Sequence, residues 1–164
     1  TNCGPTGKGA SSILDWLGDY KQPSRHWDVI SFNFGHWDSQ QTKAGYQANL
    51  EIIVGELRKT GAKLIWVTTC PVPNGYPQAS ALTATGKAPG RKAGVMKKYL
   101  NPWAKEVIKK YPEISICDQW QYCKEHEQDS FKQWWIGKNV HFNQATGQQL
   151  GEFLADHALR VWDK

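Results

Sequence analysis

No apolar run in this sequence approaches the ~18 residues needed to cross a bilayer, and no charged-then-apolar leader opens it. A membrane-spanning helix is therefore not expected. The chain starts at Thr1 rather than at methionine, which predicts removal of an upstream segment by secretory processing, internal cleavage or choice of boundaries. No Asn-x-Ser/Thr sequon is present, so N-glycosylation lends secretion no support. The four cysteines, Cys3, Cys70, Cys117 and Cys123, have no CxxC spacing and no metal-ligand spacing with the five histidines, and neither zinc nor another metal or cofactor is expected. Three disulfide pairings are formally open. An even count favours an oxidising, extracellular setting, although buried free thiols are an equally physical outcome.

The 164 residues and net charge of +5 describe one domain, residues 1–164, with a basic balance. Such a balance invites a nucleic-acid partner, because lysine and arginine neutralise phosphates. The densest basic stretch, Lys87 to Lys98, carries Pro89 and glycines in its first part and no aromatic platform. It reads as a solvated loop running into a helix, and no nucleic-acid partner is expected.

Asp28 to Phe34 and Lys63 to Thr69 read as strands buried on both faces, and Ile114 to Cys117 as a shorter third. Between Gly45 and Lys59, Tyr46, Leu50, Ile53, Val54 and Leu57 fall on one helical face, and Gly61 ends the helix. The segment from Thr146 to Trp162 repeats the pattern with Leu150, Phe153, Leu154, Ala158 and Val161. Alternating helices and strands predict a three-layer α/β/α domain with a mostly parallel sheet. Ligands of such sheets sit beyond the carboxyl ends of the strands, here after Phe34, Thr69 and Cys117. The irregular stretch from Pro71 to Gly90 is a candidate rim.

At those ends stand Gly35-His36-Trp37-Asp38, Thr69-Cys70-Pro71, and, before the last helix, Asn139-Val140-His141-Phe142. With Asn2-Cys3-Gly4-Pro5 near the start, their order resembles the SGNH (GDSL-type) hydrolases over nearly the whole chain. The resemblance implies a flavodoxin-like sheet whose first strand, bearing a Gly-Asp-Ser nucleophile, is missing here. It implies that His141 is the catalytic base and that Gly4 and Gly35 belong to the oxyanion region. Trp37 stands where the family has asparagine or histidine; an indole donates one hydrogen bond, but its bulk would crowd a substrate carbonyl. Lys138 and Asn139 stand where the orienting aspartate belongs, and a lysine there disfavours an imidazolium.

In serine proteases, loss of the nucleophile costs about 10⁶ in rate and loss of the orienting aspartate about 10⁴. The expectation is thus a catalytically impaired scaffold acting as a lectin-like, carbohydrate-binding module, with Trp37, Asp38, His36 and Asn139 as ligand contacts. The nine tryptophans fit aromatic stacking on sugars, while core packing is their ordinary use. Two alternatives stand beside it: an esterase or carbohydrate deacetylase subunit whose serine lies on a separate segment, and a structural, oligomer-forming protein. The expected partners are a companion chain supplying the first strand and a glycan or small acylated ligand, in an oligomer that engages no membrane.

Overall fold

The computed structural model describes residues 4–126 and 133–163. Its centre is a parallel sheet in the order β1-β2-β3, with β1 at Val29–Phe32, β2 at Lys63–Val67 and β3 at Ser115–Cys117. Ile30 pairs with Leu64, and Ile65 with Ser115. Each strand is shorter at one or both ends than the apolar run that encodes it; beyond β1 and β2, Asn33, Phe34 and Thr69 build the turns, while the Thr68 amide still donates to the Cys117 carbonyl at 3.0 Å. The expected parallel α/β arrangement is present in this small sheet.

Alternation along β2 sends its side chains to two separate cores. Leu64 and Trp66 join a large cluster with Tyr46, Leu50, Ile53, Val54 and Leu57 of α2 (Lys43–Lys59) and with Trp103, Ala104, Val107 and Ile108 of α3 (Asn101–Ile108). Helix α1 (Thr6–Leu17) adds Ile13 and Leu17 to it. Ile65 and Val67 face the other way, against Phe153, Leu154, Ala158 and Val161 of α5 (Gln144–Trp162). Helices therefore cover both faces. The five apolar residues expected on α2 are essentially inaccessible to solvent, the stripe that the 3.6-residue period requires.

Local chemistry fixes the helix ends. Thr42 caps α2 by accepting from the Gly45 amide at 3.2 Å, and Arg58 and Lys59 in its last turn complement the helix dipole. Gly61, at φ 73°, then reverses the chain into β2 where a side chain would be strained. Asn143 caps α5, accepting from the Thr146 amide at 2.9 Å. Asp118 caps the short α4 (Gln119–Glu125) and also accepts from the Thr68 hydroxyl at 2.9 Å, tying the end of β2 to the end of β3. Cys70, Cys117 and Cys123 are buried free thiols. Cys3 lies outside the described residues, so the structure contains no bridge among those it describes.

The sheet has two edges, and among the described residues no further strand pairs with either. Along β1 the edge opens into a groove of about 400 Å³ lined by Ile13, Trp16 and Leu17 of α1, by Trp27, and by Val29, Ile30 and Phe32.

Candidate functional site

The turn after β1 is drawn hard against the end of β2. A Cβ on Gly35 would overlap the Thr69 side chain, so only glycine allows the approach. Asn33 stitches the same junction, donating to the Val67 carbonyl at 2.7 Å and to the Thr69 hydroxyl at 2.9 Å. Asn101 closes it from α3, accepting from the Thr69 amide and donating to the Thr69 carbonyl, each at 2.9 Å. Beyond these strand ends lies a hollow of about 310 Å³, lined by Asn33, His36, Thr68, Thr69, Gln119 and Phe142. The strand ends and the segment before α5 thus meet at one place, as the sequence order predicts.

Asp38 is corrected. It is inaccessible to solvent, and its carboxylate accepts from the Thr6 amide at 2.8 Å and from the Thr6 hydroxyl at 2.7 Å. Because Pro5 offers α1 no side-chain cap, Asp38 performs that service from 32 residues away. Burial raises its pKa and the bonds from Thr6 oppose the rise. Asp38 is an anchor for α1, not a ligand contact. The same bond carries the segment of Gly4 and Pro5 to the turn after β1.

His36 is largely buried on the wall of the hollow, and burial, followed by the charge of Arg91, lowers its pKa to about 4. It is neutral at pH 7. Trp37 is 64 % exposed, with the Arg91 guanidinium 5.8 Å from its ring centre. Trp134 and Trp135 are buried beside Cys70, Cys123 and Leu150, the ordinary packing use of tryptophan.

His141 is exposed, and its partner is Asn139. The backbone amide of His141 donates to Asn139 Oδ1 at 2.9 Å, and ring Nδ1 meets the same oxygen. A backbone N–H can only donate, so the amide oxygen rather than the nitrogen faces the histidine, and Nδ1 must carry the proton. That leaves the Nε2 lone pair available as a base. The Asn139 side-chain oxygen is therefore an orienting group for His141, while the exposed residue keeps its amide nitrogen towards solvent. The expected gap in orientation is filled by a neutral acceptor, while the charge that would stabilise an imidazolium is absent from it. Lys138, the adjacent cation, runs along Gly75 in the loop after β2.

Sequence reasoning missed Arg91, which is sequentially remote from the turn it stacks on, and the dual acceptance by Asn139, which requires the tight 139–141 turn. An asparagine two residues before the histidine was the available signal for the latter. No known family model matches this chain, and no curated protein matches it, so its functional reading rests on the geometry of the strand-end hollow.

Proposed function

We propose that this chain is the larger part of an SGNH-type serine esterase, acting on acylated carbohydrate or a similar small ester, and that a companion strand docking along β1 supplies the nucleophile. The observation that carries the reading is the bare apolar edge of β1. Val29–Phe32 contains no charge or proline to protect it, and α1 overhangs the groove with Ile13 and Leu17 already turned towards the core. An added strand would satisfy the edge by backbone pairing and fill the groove with alternate apolar side chains. Its carboxyl end would lie beside the turn at Gly35.

The chemistry follows from that placement. The serine oxygen attacks the acyl carbon as His141 Nε2 takes its proton; the oxyanion collapses, and the same proton passes to the departing alcohol. Water then repeats the sequence on the acyl-serine. Amides near Gly4 and Gly35 are the oxyanion donors of this reading. Asn139 supports it by holding the productive tautomer of His141.

A second reading, a carbohydrate-binding module without turnover, is favoured by one feature. Trp37, next in sequence to the lining residue His36, offers an exposed aromatic face, and the hollow combines a largely apolar surface with the uncharged polar groups of Asn33, Thr68, Thr69 and Gln119, a mixture that sugar C–H patches and hydroxyls suit.

Release of nitrophenol from acetyl and butyryl esters by natively purified protein, retaining any companion, separates the two. Turnover lost in His141→Ala and weakened in Asn139→Ala supports the esterase. No turnover, with glycan binding that Trp37→Ala weakens by about 1 kcal/mol, supports the binding module. Failure of both leaves an oligomer-forming role.

A further inference from the structure

On the α3 side of the strand ends lies a second hollow, of about 380 Å³, whose lining does not include His141. Its accessible apolar surface comes from Pro102 and Trp120, with the buried Trp66 in its wall, and its cations are Lys97, Lys105 and Lys109. Four other cations of the chain are in ion pairs: Lys43 with Glu106, Lys59 with Glu56, Lys110 with Glu51 and Arg58 with Glu113. Among the described residues, Lys97, Lys105 and Lys109 make no such ion pair. Two carboxylates also border the hollow, each with closer partners, although the charge of Lys109 also reaches Glu106. Glu106 is held by Lys43 at 2.7 Å and Gln47 at 2.9 Å, and Asp118 by Thr68 and the Gln121 amide. A net positive charge is left facing solvent.

Helix energetics account for part of the arrangement: Lys105 in the last turn of α3 and Lys109 at its carboxyl cap complement the helix dipole, against a like-charge spacing that costs a few tenths of a kcal/mol. Lys97 lies at the amino end of its helix, where the dipole disfavours a cation. It is carried there by a π-helical turn, Met96–Leu100, a rare geometry that is frequent at functional sites. The turn sets the Lys97 ammonium 5.6 Å from the Trp120 ring centre. Lys97 and Trp120 also border a neighbouring hollow of about 270 Å³, which contains Lys92 and Tyr76.

We propose that these joined hollows bind a short acidic saccharide. The rings lie against Trp120 and its apolar neighbours, and the carboxylate or sulfate groups meet Lys97, Lys105 and Lys109. A single-stranded nucleic acid would call for several aromatic platforms in succession; here one tryptophan divides two cationic cups. The site does not depend on His141 or on a companion strand, so it stands or falls separately from ester turnover.

The test is calorimetric titration of the whole protein with a tetragalacturonate, a heparin-derived tetrasaccharide and a neutral tetrasaccharide of equal length. The first two probes distinguish carboxylate from sulfate as the preferred anion. Binding of at least one acidic probe, at least about tenfold tighter than the neutral one and weakened by added salt, is expected. Lys97→Gln and the pair Lys105→Gln, Lys109→Gln should each weaken it about tenfold or more, whereas Lys110→Gln, which removes an ion-paired lysine, should not. All four positions are exposed, so folding is not at risk. The proposal is overturned by equal affinity for the neutral probe, by no binding of either acidic probe, by an equal loss in Lys110→Gln, or by tighter binding of a single-stranded oligonucleotide.

Discussion

The two edges of this sheet end in different ways. At β3 the strand is three residues long, its Ser115 hydroxyl is bonded to His157 of α5 at 2.7 Å, and Asp118 turns the chain at once into α4. At β1 four uncharged residues face a groove under a helix that reaches past them. Short strands and polar stitching are the usual protection of an edge. The first edge has both; the second, one residue longer, faces an open apolar groove instead, and this contrast is what the proposed companion strand rests on.

The largest test of that contrast uses one cross-strand pair. Ile30 and Leu64 are in register, but Leu64 is 3 % exposed and Ile30 only half-buried. Leu64→Ala should cost about 3–4 kcal/mol in urea unfolding and Ile30→Ala about 1–2. Equal losses would show that the β1 edge is already as well packed as the centre. With a companion strand bound, the cost at Ile30 should rise towards that at Leu64.

At the end of β1, His36 predicts a dependence on pH. Its native pKa of about 4 lies below the ordinary 6.5, so between those values the unfolded chain binds more protons and stability falls as the pH falls. The contribution lost is on the order of 3 kcal/mol, complete near pH 4 and absent above about 6.5. Asp38 acts with the opposite sign, since its raised pKa favours the native state as it protonates. The wild-type protein should therefore be compared with His36→Gln. A difference in unfolding free energy that stays constant from pH 7 to 4.5 would contradict the burial of His36.

Asp38 sharpens the comparison further, because it secures the helix that roofs the open edge. Asp38→Ala leaves the Thr6 amide without its acceptor and should cost about 2–3 kcal/mol. Hydrogen exchange should accelerate in the first turn of α1 and leave α5 unaffected; uniform acceleration would mean that the anchor supports the entire fold. The smallest effect belongs to the finished edge. Ser115→Ala removes one half-buried hydrogen bond and should cost about 1 kcal/mol or less, measured by the same unfolding.

The core was readable because its information is periodic. Tyr46, Leu50, Ile53, Val54 and Leu57 repeat at the spacing of a helix, and all five are buried. The Lys63 to Val67 segment likewise declared a strand with two apolar faces, and the positions of the turns at Gly35 and before α5 located the strand-end hollow. The roles of polar residues within that hollow were harder to read. Asp38 looked like a contact at the mouth, yet its carboxylate points inward to Thr6, because whether a turn residue faces ligand or core depends on where a distant helix begins.

Sequence by itself determined the alternation of helices and strands, the residues that enter the core and the end of the sheet at which the strand-end hollow opens, since each follows from local periodicity and from the handedness of parallel connections. Tertiary structure alone decided that Asn139 presents oxygen to both donors of His141, that Asp38 caps α1, and that Lys97, Lys105 and Lys109 line one hollow with Trp120 and make no ion pair among the described residues. Those outcomes depend on directions and distances between segments many residues apart. Hydrophobic spacing records which side chains are withdrawn from water, whereas hydrogen bonds and unpaired charges are settled only when the folded chain brings their partners within a few ångströms.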